Sequence, residues 1–167
     1  MSLKHILCAG LFAALPSLAS AHVVIEDAYA RASSPLAQSG AIFMSIYNHN
    51  DYDDVLIGAD SDIAERLELH THIQTSDGVM RMVEIEGGIP IAADETVLLE
   101  RGGLHVMLLG LTRPLEQGDT FTVRLIFETS DPVEIEVPVD LERMPAEGGA
   151  MQHGDGHGHA HGHNHGG

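Results

Sequence analysis

Two short stretches of this chain combine imidazole and thioether side chains at a spacing that could hold a metal ion. The first is Leu104-His105-Val106-Met107-Leu108, in which strand alternation would place His105 and Met107 on one face. An imidazole nitrogen and a thioether sulfur together suit Cu(I) better than zinc, calcium or magnesium, because thioether is a poor ligand for hard cations. The alternative for this stretch alone is a core methionine beside a surface histidine.

The second stretch is Glu68-Leu69-His70-Thr71-His72, followed after a turn by Val79-Met80-Arg81-Met82. A hairpin through Ser76-Asp77-Gly78 would place a histidine of one strand across from a methionine of the other, within reach of a single ion. Taken singly, Met80 and Met82 are predicted to pack in the core. Together with His105 and Met107, however, the histidines and methionines of this hairpin predict a metal site.

Histidine and methionine are the residue types that could supply soft metal ligands in the folded chain. There are 12 histidines and 7 methionines, whereas the one cysteine, Cys8, lies in the predicted leader, so neither disulfides nor thiolate chemistry are expected after its removal. His49 is predicted on the surface and Met44 in the core. The formal net charge of −17 disfavours nucleic acid and anionic lipid as partners; it would attract cations, although solubility is its more ordinary role.

Residues 1–21 are predicted to be a cleaved signal peptide. Lys4 and His5 precede an apolar run that ends in Ala19-Ser20-Ala21, the small-x-small pattern of a signal peptidase site. The run is shorter than the ~20 residues that span a bilayer, so we expect a periplasmic protein without membrane insertion. Cleavage there would give His22 a free amine, which could chelate Cu(II) together with its imidazole; an ordinary exposed terminus is the alternative.

Residues 22–144 predict a single all-β domain, an antiparallel β-sandwich. Short β-branched and apolar runs alternate with turn residues such as Arg101-Gly102-Gly103, and no long helix is evident. A single helical turn is a further possibility at Asp62 to Glu65. The predicted strands are Val24 to Arg31, Ala41 to Asn48, Val55 to Ala59, Arg66 to Ile73, Val79 to Ile85, Thr96 to Leu99, Leu104 to Leu109, Thr120 to Glu128 and Val133 to Val139.

Residues 145–167 are predicted to be a disordered tail, because their Gly, His and polar residues cannot bury a core. Multiple imidazoles on a flexible chain favour Cu(II), Ni(II) or Zn(II), so the tail is predicted to capture Cu(II) for the domain or to act as a metal buffer. An expression tag is the other alternative, although the interleaved glycines do not resemble one. The tail histidines are His153, His157, His159, His161, His163 and His165.

The two stretches resemble the periplasmic copper chaperones of the PCu(A)C family. The family pattern is a histidine, then a methionine, then a His-x-Met pair, and here it selects His70, Met82, His105 and Met107. One departure concerns a methionine that members often carry just after the first histidine: Thr71 and His72 stand there instead, which makes His72 an additional candidate donor. The likeness covers nearly all of residues 23–128, including Asp27-Ala28-Tyr29-Ala30-Arg31-Ala32, Leu67-Glu68-Leu69-His70, Gly78-Val79-Met80-Arg81-Met82 and Gly102-Gly103-Leu104-His105.

This resemblance implies a cupredoxin-like β-sandwich that holds Cu(I) at an exposed His/Met site. It further implies delivery for assembly of the cytochrome c oxidase copper centre, with acceptors such as cytochrome c oxidase subunit II or an Sco-like thiol chaperone. No Ser-His-Asp or carboxylate-pair pattern stands out, so an enzyme is not expected, and a blue-copper redox protein would need a cysteine ligand. The rival hypothesis is a periplasmic zinc, nickel or copper scavenger that acts mainly through its tail.

Overall fold

The computed structural model describes residues 22–34 and 36–144, and these form ten β-strands. The predicted leader and tail lie outside the described residues, so the interpretations of both stay predictions. Within the described ranges there is no helix, and hence none long and apolar enough to cross a membrane. The strands are β1 (Val23–Ala32), β2 (Ser39–Asn48), β3 (Asp54–Asp60), β4 (Ala64–Gln74), β5 (Met80–Glu84), β6 (Ile89–Ile91), β7 (Thr96–Leu99), β8 (His105–Leu111), β9 (Thr120–Phe127) and β10 (Val133–Pro138).

The strands form two antiparallel sheets that enclose one core. The larger sheet has the order β1-β2-β8-β4-β5, with β7 also pairing with β2, and the smaller has the order β10-β9-β3-β6. Ile42 and Val106 from the larger sheet and Leu56 and Val123 from the smaller sheet are fully buried in the same hydrophobic cluster. This arrangement confirms the predicted all-β sandwich.

Side-chain alternation explains why these segments form strands. In β9, Phe121, Val123 and Leu125 are buried while Thr122 and Arg124 between them are exposed, which is the pattern of a strand with one face on a core. In β8 the buried apolar residues are Val106 and Leu108. Their neighbours His105 and Met107 therefore point to the opposite face of the larger sheet.

Two details differ from the sequence predictions. The strand β6, Ile89–Ile91, was missed because Pro90 interrupts an already short apolar run; β6 lies at the edge of its sheet, where proline is tolerated. The helical turn suggested at Asp62 to Glu65 is wrong. The chain makes a plain turn at Asp62 and Ile63 and enters β4 at Ala64, and the Ile63 carbonyl accepts hydrogen bonds from Thr112 rather than from a helical amide.

The predicted hairpin between β4 and β5 is confirmed. Gly78 has a φ of 80°, a conformation that glycine adopts without steric cost, and its amide donates to the Thr75 carbonyl over 2.9 Å. Thr75 also closes the loop through its amide and hydroxyl, both of which donate to the Val79 carbonyl. The turn sets the pairing in which His72 lies opposite Met82.

Candidate metal centre

The four residues that the sequence selected lie on one face of three neighbouring strands. His70 on β4 is directly opposite His105 on β8, and Glu68 is opposite Met107. Met82 on β5 is opposite His72. Met82 and Met107 thus each lie on a diagonal from His70, a separation of about 7–8 Å between backbones that long side chains can bridge. The strand pairing brings together the two stretches on which the metal-site prediction rests.

We call the outer-face residues His70, His72, Met82, His105 and Met107 the His/Met cluster. The ring centroids of His70 and His105 are 5.9 Å apart, and those of His72 and His105 are 5.3 Å apart. The His105 ring also lies 6.1 Å from the ring of Phe43 on β2. Because aromatic and imidazole rings surround it, His105 is only 1% exposed although it points away from the core.

Hydrogen bonds to Glu68 and Gly103 orient the imidazole rings of His70 and His105. His70 Nε2 lies 3.0 Å from a carboxylate oxygen of Glu68, and His105 Nδ1 lies 3.0 Å from the carbonyl oxygen of Gly103. Both oxygens are acceptors, so in each ring the bonded nitrogen carries the hydrogen. The other nitrogen, Nδ1 of His70 and Nε2 of His105, is buried and has no hydrogen-bond partner among the described residues. A neutral imidazole in this state holds a lone pair ready for a metal ion.

The surroundings of His105 favour its neutral form. Burial lowers the pKa of His105, and the neighbouring His72 and His70 lower it further, while the hydrogen bond to the Gly103 carbonyl acts in the opposite direction. The net direction is downward from the ordinary value of 6.5. Since a metal ion binds the unprotonated nitrogen, this environment keeps His105 competent as a ligand at neutral pH.

The methionines of β5 are not core residues. Met82 is 45% exposed and Met80 is 53% exposed, so the core packing predicted for each of them taken singly is wrong. Both lie on β5, which is the edge strand of the larger sheet, and both point to its outer face, since Met82 is opposite His72 and Met80 is opposite Gln74. Met107 is half-buried, whereas Met44 is buried in the core as predicted.

The two additional hairpin candidates differ in their positions. His72 belongs to the cluster: its Nδ1 lies 3.5 Å from the same Gly103 carbonyl that His105 uses. Met80 is two residue pairs further along the hairpin, opposite Gln74, and extends the exposed sulfur-bearing edge. His72 therefore lies nearer to the other cluster residues than Met80 does.

His22, which the sequence predicts at a cleaved N-terminus, lies away from the His/Met cluster. His22 precedes β1, and its ring stacks on His49 with centroids 5.2 Å apart and an angle of 17° between the rings. His49 is exposed, as predicted, at the end of β2 away from Ala41, which pairs with Met107. His22 is thus not part of the His/Met cluster. The six tail histidines lie outside the described residues.

Two residues that hydrogen-bond to the cluster histidines were not predicted from the sequence: Glu68 and Gly103. The available signal was that Glu68 stands two residues before His70, so that alternation puts both on the same strand face. The carbonyl of Gly103 carries no such signal. Within residues 22–34 and 36–144, no three His, Cys, Asp or Glu side chains are grouped to hold a metal ion, and the His/Met cluster is of another kind because it includes methionine sulfur.

Comparisons with known proteins agree on the type of domain. The family model described as LpqE-like, putative lipoprotein LpqE-like, matches residues 23–139. The putative lipoprotein Lxx21020 of Leifsonia xyli subsp. xyli (strain CTCB07) is 36% identical over 99 residues, which is 59% of this chain. The aligned part likewise spans only 59% of the length of that relative.

Solved structures that include a PCuAC domain share this fold. The copper-bound PCuAC domain from PmoF2 superposes with a TM-score of 0.60 at 23% identity, covering 71% of this chain and 92% of that one. The solution structure of CuI-DR1885 from Deinococcus radiodurans superposes with a TM-score of 0.58 at 30% identity, covering 74% and 83%. The resemblance to the PCu(A)C family that the sequence indicated is confirmed.

Proposed function

Because this chain belongs to the LpqE-like family and has the fold of PCuAC domains, we propose that it is a copper chaperone whose cargo is Cu(I). The ion binds to His70 Nδ1, His105 Nε2 and the sulfurs of Met82 and Met107. His72 stands beside these four as a further donor. The site makes and breaks no covalent bond in its cargo, so the role is carriage and not catalysis.

One observation carries this proposal. Two imidazole nitrogens that are buried and unpartnered, His70 Nδ1 and His105 Nε2, belong to rings only 5.9 Å apart. A buried nitrogen without a hydrogen bond costs about 1–3 kcal/mol, and a protein keeps such a group where it has a use. A bound metal ion would satisfy both nitrogens at once.

The donor set argues for the monovalent ion. Thioether sulfur is soft and neutral, and together with imidazole it suits Cu(I) better than Zn(II). By their names, two of the similar structures hold copper, one of them as CuI. Four neutral donors leave the positive charge of the ion uncompensated within the site, and the acidic chain, with a net charge of −17, provides a favourable field.

The exposure of the cluster supports transfer to another protein. Met82 is 45% exposed on the edge strand β5, so an acceptor could reach the ion from that side. Thiolates bind Cu(I) more strongly than thioethers, which would let the ion pass down an affinity gradient to a cysteine-bearing acceptor. We propose that the transfer takes place in the periplasm and serves assembly of the cytochrome c oxidase copper centre, through subunit II or an Sco-like thiol chaperone.

The tail has a separate role in this proposal. Its six imidazoles capture Cu(II), and the domain holds the ion once it is reduced to Cu(I) by a periplasmic reductant. The rival hypothesis, a scavenger of zinc, nickel or copper, assigns all metal uptake to the tail. The two differ in what happens when the tail histidines are removed.

Cu(I) uptake therefore tests the proposal directly. We would measure it anaerobically, by competition with a chromophoric Cu(I) chelator, on the full-length mature protein with its six tail histidines changed to serine. We expect this protein to take up Cu(I) and the added H105A/M107A variant to lose that uptake. A matched control is H49A/M144L, which removes an exposed histidine and an exposed methionine outside the cluster.

Two outcomes would reject the chaperone site. If the protein with tail serines takes up no Cu(I), the scavenger hypothesis is supported instead. If H105A/M107A binds as tightly as its parent, the ion is held elsewhere.

A further inference from the structure

The carboxylate of Glu68 is the hydrogen-bond partner of His70, and it belongs to none of the proposed ligands. Glu68 Oε2 lies 3.0 Å from His70 Nε2, and both side chains are sheltered, with 16% and 13% of their surface exposed. Glu68 and His70 are two residues apart on β4, so both project from the outer face of the sheet. The contact is thus built into the strand and needs no loop to form it.

An ionised carboxylate only accepts hydrogen bonds, so its contact with His70 has one direction. Nε2 must donate, and in the neutral ring Nδ1 then keeps the lone pair. Nδ1 is the nitrogen that is buried and unpartnered. The ring is therefore turned so that its free lone pair and its fixed hydrogen lie on opposite sides.

The second imidazole, that of His105, carries its hydrogen on the other ring nitrogen. His105 donates through Nδ1 to the Gly103 carbonyl and keeps its lone pair on Nε2. The acceptor that orients His105 is a backbone carbonyl, whereas the acceptor that orients His70 is a side chain. The orientation of His70 is consequently the one that a single substitution can release.

The strand opposite offers a second carboxylate that does not make this contact. Glu84 on β5 pairs directly with His70, yet Glu84 is exposed and makes no hydrogen bond to the His70 ring, whose Nε2 is bonded to Glu68 and whose Nδ1 has no partner among the described residues. The other carboxylate oxygen of Glu68 forms an ion pair with Arg66 at 3.0 Å, but Arg66 is 69% exposed and solvent weakens that ion pair. The sheltered bond to His70 is the stronger constraint.

We propose that Glu68 is a positioning residue of the Cu(I) site. Its carboxylate fixes the His70 ring with Nδ1 toward the ion and increases the electron density on that nitrogen. Such carboxylate–histidine–metal arrangements typically change metal affinity by about 10- to 100-fold when the outer partner is removed. This inference rests on the proposed Cu(I) site for its effect on affinity, while the orientation of His70 can be tested without metal.

The test compares three variants of the full-length mature protein that carries serines in place of its tail histidines. We expect E68A to bind Cu(I) about 10- to 100-fold more weakly than its parent. E68Q should recover part of the loss, because the amide oxygen can still accept from Nε2. E84Q is the matched control, since it neutralises the other carboxylate beside His70, and it should bind within about twofold of the parent.

A second readout needs no copper. In nitrogen-15 NMR spectra of the metal-free parent, we expect His70 to carry a slowly exchanging hydrogen on Nε2, and we expect that hydrogen to exchange rapidly in E68A. A merely structural role for Glu68 would alter thermal stability without releasing this hydrogen. The inference is overturned if the hydrogen is equally protected in E68A, or if the parent binds Cu(I) and E68A binds it equally well. A parent that fails to bind Cu(I) refutes the proposed function, and the NMR comparison still decides whether Glu68 orients His70.

Discussion

His70 and His105 lie directly opposite each other on the antiparallel strands β4 and β8, and each has one ring nitrogen that is buried and unbonded. The two rings come from stretches that are 35 positions apart in the sequence, and only the pairing of their strands joins them. Two buried and unsatisfied nitrogens are unfavourable for a metal-free protein. We therefore expect function and stability to be opposed at this position.

Replacement of His105 by leucine tests that opposition. H105L removes the buried unpartnered Nε2, which favours the variant, but it also removes the hydrogen bond from Nδ1 to the Gly103 carbonyl. The two effects offset each other, so the metal-free protein should keep the stability of the parent to within about 1 kcal/mol. The stabilisation that Cu(I) confers on the parent should be absent, because a ligand raises stability only where it binds the folded state. Thermal unfolding with and without Cu(I) measures both effects. A large loss of stability in metal-free H105L would indicate that the ring is structural.

The two exposed methionines of β5 should differ in their effect on copper. Met82 lies opposite His72 and diagonal to His70, whereas Met80 lies opposite Gln74, two residue pairs further from His70. M82L should weaken Cu(I) binding by about tenfold or more, and M80L by less than about twofold, since leucine retains the bulk but lacks the sulfur.

M80L serves as the control for M82L, because the two side chains have similar exposure and lie on the same strand face. Chelator competition gives the two affinities. Equal affinities in both variants would remove Met82 from the proposed ligand set.

A different prediction concerns the fold and the buried carboxylate of Asp54. Burial tends to raise the pKa of Asp54, but hydrogen bonds from the Ser130 side chain and from the amides of Thr129, Val55 and Ser130 outweigh it and lower the pKa below 3.8. The three amide contacts are 2.8 to 3.0 Å long. The folded state thus holds the ionised form more strongly than the unfolded state does.

Stability that depends on Asp54 is therefore present above about pH 4 and is lost as the pH falls through its folded-state pKa, because the unfolded chain then takes up the proton first. D54N should cost about 1–3 kcal/mol at pH 7, and its difference from the parent should shrink between pH 5 and pH 3. Denaturant unfolding at several pH values measures this, with D51N as a control at an exposed neighbouring aspartate. A pH-independent difference would contradict the account.

Much of the site could be predicted from the sequence because strand alternation is a strict rule. It places His105 and Met107 together, and it places His70 and His72 together, before any partner strand is known. The turn at Gly78 then fixes the hairpin register that brings His72 to Met82. Alternation and turn chemistry are local, and local patterns are what a single sequence records.

The remaining features depend on long-range packing. The sequence does not reveal that β5 is an edge strand, and for that reason Met80 and Met82, each taken singly, were predicted to pack in the core although both are exposed. It also does not reveal which carboxylate turns towards His70, since Glu68 and Glu84 are both adjacent and only Glu68 is bonded. The strand β6 was missed because its three residues include Pro90, and edge position, not propensity, permits it.

X-ray absorption at the copper edge is the most direct test of the central claim. The sample is the Cu(I)-loaded full-length mature protein with its tail histidines changed to serine, so that the folded domain supplies every ligand. We predict a mixed first shell of imidazole nitrogen and thioether sulfur, with the sulfur contribution reduced in M82L and in M107L. A shell of nitrogen and oxygen alone, unchanged by either substitution, would contradict the proposal that His70, Met82, His105 and Met107 hold the ion.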